Sequence, residues 1–181
     1  MLFHLPLAGS TFKKVYYDDL LGRAVSKFVP ADDLVVPYSA TSLEDAEAIV
    51  HVIKITANDL RKQQVMGFYK DVEIPQPGQA HEPEIEKKEH ELEGMKKTGK
   101  NEDLHTLLEF HIDLDLDGFE DMGQDGEPSG IKLPYIVTIE EDSKTILSIR
   151  RNYEQNDPLK RKVNYFVHFK FLPGLGFYGF G

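Results

Sequence analysis

The stretch 106–117, TLLEFHIDLDLD, decides the fold, because its apolar and polar side chains alternate strictly. One parity is mostly apolar and consists of Thr106, Leu108, Phe110, Ile112, Leu114 and Leu116. The other parity is polar and carries Glu109, His111, Asp113, Asp115 and Asp117. A period of two is typical of a β-strand, whose successive side chains point to opposite faces. We therefore predict a strand with one buried face and one acidic face, which lies in water or against a basic neighbour.

The same stretch also has the spacing of a calcium-binding loop. Asp113, Asp115, Asp117 and Gly118 correspond to positions 1, 3, 5 and 6 of an EF-hand. Gln124 stands at position 12, where an EF-hand has a bidentate Glu. On a strand, alternate aspartates lie roughly 6.5 Å apart, which is too far to close around one ion unaided. A solvated strand followed by a glycine turn is the favoured interpretation, and a metal site of these three aspartates is the alternative.

Short β-type segments dominate the rest of the chain, and turn residues separate them. They cover residues 12–17, 26–29, 34–37, 48–55, 131–140, 145–151 and 163–171. Residues 141–144 predict a hairpin between two of these strands. The apolar face of the last strand is expected to carry Val163, Tyr165, Val167, Phe169 and Phe171. The fold class indicated is α+β, with mostly antiparallel β-strands and short helices.

One helix start is recognisable within the first part of the chain. The Thr56 side chain is placed to accept a hydrogen bond from a free backbone N–H of the first turn. The Asp59 side chain is placed to accept one from the backbone of Thr56 in return, as in a capping box. Ile55 and Leu60 occupy the two positions of a hydrophobic staple. The helix is expected to run for about three turns and to end near Gly67.

Composition divides the chain into three segments. Residues 1–75 form a β-rich segment with the capped helix, and residues 104–181 form an antiparallel β segment. Residues 76–103 read as a flexible charged linker, in which 84–93 has the composition of a short solvated helix. Within this linker, residues 94–101 match a phosphate-binding P-loop, except that Asn101 replaces the Ser or Thr that holds magnesium. The preceding sequence is too polar for the buried strand that such a loop needs, so a lysine-rich linker is favoured.

Charge and composition exclude several classes of function. The 181 residues carry a formal net charge of −10, which makes tight wrapping of nucleic acid an unfavourable hypothesis. The chain contains no cysteine, so it has no disulfide framework and no thiol chemistry. No run of about 18 apolar residues occurs, so no membrane span is predicted. We expect the chain in the cytoplasm or within a larger assembly.

Polar residues outside the acidic strand are expected to serve packing and charge pairing. His51 and His168 lie within apolar strands, so we expect them to be packed and hydrogen-bonded. The late strands are basic, and the residues concerned are Arg150, Arg151, Lys160, Arg161 and Lys162. Pairing with the acidic segments, across strands or between subunits, is the favoured interpretation of these interface candidates.

Several stretches resemble the middle of a portal protein of tailed bacteriophages, in the short-tailed P22-like group. They include LLEFHIDLDLDGFED and FVHFKFLPGLGFYGFG, and together they cover residues 5–63, 107–121, 130–142, 146–153 and 166–181. The resemblance implies the wing-like region of a ring, usually of twelve portal subunits, at one capsid vertex. It implies terminase, capsid and tail proteins as partners, with DNA passing non-specifically through the channel. It also implies a structural protein without enzyme activity or cofactor, located in the virion and, during assembly, in the host cytoplasm.

Two other classes stay open. A free-standing binding module would use the acidic strand, residues 109–117, for calcium or a basic partner. An enzyme that uses nucleoside triphosphate would depend on residues 94–100 alone.

The stem helices, crown and barrel of full portals are not in this sequence, and the tail LPGLGFYGFG is apolar. We therefore expect that Gly181 is not the natural C-terminus of a self-sufficient protein.

Overall fold

The computed structural model describes residues 4–18, 22–75, 104–122 and 125–171. Its helices are α1 (His4–Ala8), α2 (Ala57–Val65) and a 3-10 helix at Ala31–Asp33. Its strands are β1 (Ser10–Asp18), β2 (Arg23–Val29), β3 (Leu34–Val35), β4 (Ala48–Thr56), β5 (Leu104–Leu114), β6 (Leu133–Glu140), β7 (Ile146–Arg151) and β8 (Phe166–Lys170). Within these ranges no helix has the length and apolar character needed to cross a membrane. The linker at 76–103 with its P-loop-like stretch, Gln124 and the tail at 172–181 lie outside the described residues.

The strands form two sheets in which every neighbouring pair runs antiparallel. The small sheet has the order β2-β1-β8, and the five-stranded sheet has the order β3-β4-β5-β6-β7. Pairing of β1 with β8 joins the first strand to the last, and pairing of β4 with β5 bridges residues 76–103. Each sheet therefore combines strands from before and after that segment. The architecture confirms the prediction of mostly antiparallel strands with short helices.

Helix α2 begins as the sequence predicts. Thr56 Oγ1 accepts a hydrogen bond from the Asp59 amide at 3.1 Å and donates to Asp59 Oδ2 at 3.1 Å. Leu60 is buried, and Ile55 packs against the cluster that contains it, as the predicted staple requires. The chain leaves the helix through Gly67 at a φ of +75°, a left-handed conformation that glycine adopts without strain.

Two different layers cover one face of the five-stranded sheet, which we call the inner face. At one end the small sheet packs on it, and the buried contacts include Phe12, Phe166 and Ile49. At the other end α2 and the residues after it pack on it, and Leu60 and Leu107 are among the buried contacts. Both layers thus rest on the same strands, and burial of these apolar side chains is the main stabilising term of the fold.

The opposite face of this sheet, the outer face, is apolar and only partly buried. One row across four strands consists of Val50, Phe110, Val137 and Ile149. Val137 is buried, Val50 and Phe110 are half-buried, and Ile149 is 48% exposed. Burial along this row is therefore lowest at the edge strand β7.

The predicted burial of β5 was wrong for residues 107–111. Glu109 and His111, expected on an acidic face in water or against a basic neighbour, are 4% and 2% exposed, and Lys14 is a basic neighbour of Glu109. Leu108 and Phe110, expected to be buried, are only half-buried. The reason is tertiary, because the small sheet and α2 both cover the polar parity of the strand. Asp113, farther along the same parity, is exposed as expected.

The last strand is shorter than predicted and buries the other parity. Residues 163–165 are not in a strand, and β8 places Phe166 in the core. Val167 and Phe171, expected on the apolar face, are each nearly half exposed. Strand β8 lies at the edge of the small sheet, and the face of that sheet which packs on the five-stranded sheet is the one that carries Phe166.

Candidate functional site

A row of polar side chains crosses the inner face of the five-stranded sheet. Register places His51, Glu109, Thr138 and Ser148 directly opposite one another on β4, β5, β6 and β7; we call these four residues the polar row. The adjacent row on one side contacts the small sheet, and the adjacent row on the other side contacts α2. The polar row therefore lies between the part of the sheet that the small sheet covers and the part that α2 covers.

Lys14 reaches the polar row from the small sheet. Strand β1 places Lys14 on the same face as Phe12, which is completely buried. Lys14 Nζ lies 2.5 Å from Glu109 Oε1, and both side chains are largely buried. A buried ammonium and a buried carboxylate are each costly alone, and their contact offsets much of that cost. The ion pair thus links one sheet to the other.

Two histidines complete the junction cluster, which consists of Lys14, His51, Glu109 and His111. His111 Nε2 lies 2.8 Å from Glu109 Oε1, so this nitrogen donates to the carboxylate. His51 Nδ1 lies 3.8 Å from the same oxygen, beyond hydrogen-bond range, and has no hydrogen-bond partner in the described part of the chain. Lys14, His51 and His111 therefore all lie near the same carboxylate oxygen, Glu109 Oε1.

Burial and charge act in opposite directions on the pKa values of this cluster. Burial alone would raise the pKa of Glu109, but His111, His51 and Lys14 together hold it well below its usual range. Burial lowers the pKa of His111, and the Glu109 carboxylate only partly reverses that effect. Glu109 is accordingly ionised and His111 neutral near pH 7.

An aromatic ring closes the cluster on the side of β8. The Phe166 ring centroid lies 5.2 Å from that of His111 and 5.5 Å from that of His51. Lys14 Nζ lies 5.8 Å from the same centroid, within the range of a cation–π contact. The ring excludes water from the charged groups, and this strengthens their electrostatic interaction.

The space beside His111 is very small. A cavity of about 10 Å³ opens there, and it is lined by residues that include Leu43, Ile49, Tyr165 and Phe166. This volume is at the lower limit for one water molecule. The imidazole therefore has no room beside it for a substrate, and the cluster has the geometry of a packed structural core.

A second buried carboxylate–histidine pair lies at the hairpin between β6 and β7. His105 Nδ1 lies 3.4 Å from Glu140 Oε1, while Glu140 Oε2 accepts from the Ser143 amide at 2.7 Å and from Ser143 Oγ at 2.6 Å. Burial opposes ionisation, but the hydrogen bonds from Ser143 and His105 hold the pKa of Glu140 below its usual range. Strands β6 and β7 confirm the hairpin predicted at 141–144, and the Glu140 side chain holds its turn through Ser143.

The three aspartates of the alternative calcium site lie at and beyond the end of β5. Asp113 is near the end of the strand, Asp115 and Asp117 follow it, and all three are exposed. Gly118 adopts a φ of +82°, as a turn after the strand requires. In the ranges that the structure describes, no group of three His, Cys, Asp or Glu residues is placed to hold a metal ion.

The five predicted basic interface residues all contact other parts of this chain. The Arg150 guanidinium lies 4.4 Å from the Phe68 ring centroid, and that of Arg151 lies 6.0 Å from the Phe119 centroid. The remaining contacts are the salt bridges Lys160–Asp121 and Arg161–Asp157 and a hydrogen bond from Lys162 to the Ala46 carbonyl. Lys160 thus pairs with the acidic segment within the chain, and pairing between subunits stays a prediction.

His168 confirms the expectation of a packed, hydrogen-bonded histidine. Its Nε2 lies 2.9 Å from Ser10 Oγ, and its ring stacks on Phe12 at 4.5 Å between centroids.

Sequence reasoning missed the junction cluster, although one signal was present. Glu109 and His111 are a charged and a polar residue that stand among Leu107, Leu108, Phe110 and Ile112.

No family model matches the chain, and no curated protein matches it.

Proposed function

We propose that this chain is a structural virion component, a wing-region part of a phage portal protein. Such a protein forms the ring at the capsid vertex through which DNA is packaged and ejected. The proposal rests on the resemblance of residues 5–63, 107–121, 130–142, 146–153 and 166–181. The observation in the structure that supports it best is the outer face of the five-stranded sheet. A contiguous apolar surface that is partly exposed is typical of contact with another protein.

The outer face is most exposed at the edge strand β7. Ile146 and Ile149 on β7 are each 48% exposed, and they continue the rows that contain Ile139 and Val137. Neighbouring portal subunits, or capsid, tail and terminase proteins, would cover these side chains in the assembled particle. The net charge of −10 is compatible with DNA that passes without being gripped.

The buried polar groups support a structural role over an enzymatic one. Glu109 and Glu140 each accept hydrogen bonds from residues of this chain, and no substrate-sized space adjoins His111. In the proposal these groups hold the layers together and require no cofactor. The protein would act in the virion and, before that, in the host cytoplasm during assembly.

The test of the proposal is self-association of the chain. In sedimentation velocity over rising concentration, we expect assembly, and Ile149→Lys should weaken it at least tenfold by placing a charge on the outer face. Val65→Lys is the matched control, because Val65 is 72% exposed on α2 and away from that face. Equal association of both variants would contradict the role of the outer face.

A second, independent test is the DNA around the gene. We expect a terminase large-subunit gene close upstream and sequence that completes a ring subunit next to this one. A gene that stands alone among metabolic genes, together with a monomer at every concentration, would overturn the portal proposal. A free-standing binding module would then use Asp113, Asp115 and Asp117, because Glu109 is occupied by Lys14.

A further inference from the structure

We propose that the junction cluster is an acid-sensitive latch, in which a proton gained by His111 loosens the small sheet from the five-stranded sheet. The proposal concerns the two layers of this chain and does not depend on the portal assignment. Its basis is the position of Lys14, Glu109 and His111 at the contact of the two sheets.

The junction cluster contains one carboxylate, that of Glu109, to balance the positive charges of Lys14 and of a protonated His111. Near neutral pH the Lys14 ammonium and the Glu109 carboxylate balance each other, and neutral His111 donates to the same carboxylate oxygen. A proton on His111 would place a second positive charge beside Lys14. In a buried site an uncompensated charge is costly, and separation of the sheets would relieve that cost by admitting water.

Other ionisable groups around the cluster do not supply the missing negative charge. None of the ionisable side chains that face the cluster from β1, β4, β7, β8 and the adjoining loops is a carboxylate; they are Tyr16, His51, Tyr69, Arg150, Lys162, Tyr165 and His168. Burial raises the pKa of Tyr69 to about 12, so its hydroxyl stays neutral. Asp113 is next along the same face of β5, but it is exposed to solvent.

The direction of the pH effect follows from the difference between folded and unfolded states. A histidine in an unfolded chain has a pKa of about 6.5, and burial holds the pKa of His111 below that range. As the pH falls below about 6.5, the unfolded or opened state therefore binds more protons than the closed state, and closure weakens. Glu109 stays ionised through this window because its pKa is also lowered.

His168 acts in the same direction within the small sheet. Burial lowers its pKa to about 4, with a smaller effect from the nearby Lys170. Lys14 and His168 both belong to the small sheet, on β1 and β8. Loosening at acid pH should therefore be concentrated in β1, β2 and β8, while β4, β5 and β6 remain protected.

Hydrogen exchange at pH 7 and pH 5, corrected for intrinsic exchange rates, tests the latch on the whole chain. We expect amides of β1, β2 and β8 to lose protection at least tenfold relative to those of β4 to β6. In Lys14→Met no ammonium competes for Glu109, so a proton on His111 is balanced by the carboxylate. The acid loss of protection in the small sheet should then shrink to the smaller share that His168 contributes. Lys13→Met is the matched control, because Lys13 neighbours Lys14 on the opposite face of β1, and it should behave as the wild type.

Two results would overturn the proposal: unchanged relative protection in the wild-type protein, or the wild-type acid loss retained in Lys14→Met. If Lys14→Met does not fold at pH 7, His111→Gln replaces it, because the amide still donates to Glu109 and does not titrate. This variant should lose most of the acid response. An acid response in His111→Gln equal to that of the wild type would assign the effect to His168 and reject the latch.

Discussion

Glu109 and Glu140 are two buried carboxylates on the same face of one sheet, and each contacts a histidine, yet they are held in different ways. The partners of Glu109 come from three strands and include Lys14, which lies 95 residues away in sequence. Glu140 is held by Ser143, three residues away, and by His105 on the neighbouring strand. One carboxylate therefore joins two layers, and the other completes a hairpin.

This difference decides what each residue contributes to the molecule. Loss of Glu109 leaves a buried ammonium without its counter-charge and removes a link between the sheets. Loss of Glu140 leaves the Ser143 amide without its acceptor, while the Ser143 hydroxyl can still donate to Thr145 Oγ1, in a turn whose ends remain paired by β6 and β7. Removal of the Glu109 carboxylate should therefore destabilise the whole fold, whereas removal of the Glu140 carboxylate should destabilise mainly the hairpin.

The largest expected effect is that of Glu109→Gln. The side chain keeps its size but loses its charge, so Lys14 becomes an uncompensated buried cation, and the free energy of unfolding should fall by about 3–5 kcal/mol. Urea denaturation at pH 7 measures this change. Glu73→Gln, at an exposed position, is the control and should match the wild type. A loss below about 1 kcal/mol would mean that Lys14 and Glu109 do not form the link described.

A smaller effect is expected for Glu140→Gln. The amide oxygen can still accept from Ser143, but the hydrogen bonds lose their charge assistance, so the free energy of unfolding should fall by about 1–3 kcal/mol. Hydrogen exchange should become faster around 141–145 and remain unchanged in β1 and β8. If β1 and β8 change as much as the hairpin, the contrast between the two carboxylates is wrong.

The next effect in size is that of Thr56→Ala, which removes the cap of α2. The Asp59 amide loses its acceptor, and the expected cost is about 1 kcal/mol in the free energy of unfolding. Thr56→Ser retains the hydroxyl and should lie close to the wild type in the same urea titration. Equal stability of the Ala and Ser variants would show that packing of Leu60, and not the cap, holds the helix end.

The smallest effect is expected at the exposed end of β5. Asp113, Asp115 and Asp117 are expected to show no saturable binding of calcium tighter than about 1 mM, the weak end of calcium-binding modules. Calorimetric titration at physiological salt measures this directly. Saturable heat that disappears in Asp113→Asn combined with Asp115→Asn would establish a calcium site and favour the binding-module alternative.

Much of the local structure could be predicted from the sequence, because short-range patterns determine it. The cap at Thr56 and the hairpin at 141–144 depend on residues within a few positions of each other. The burial of Glu109 could not be predicted in this way, because it depends on a strand 95 residues away and on which face the small sheet covers. The same limitation explains β8, where the alternation was correct but the choice of buried face was not.

The polar row has a further consequence for strand alignment. Both faces of β4, β5 and β6 carry apolar side chains, so a slip of one residue between these strands would still bury apolar side chains on either face. Such a slip would move Glu109 to the outer face and leave Lys14 unmatched, so misaligned pairings are selectively penalised. Replacing His51, Glu109 and Thr138 together with apolar residues should therefore yield a chain that collapses readily but populates several alignments, visible as multiple cross-strand contacts in NMR spectra.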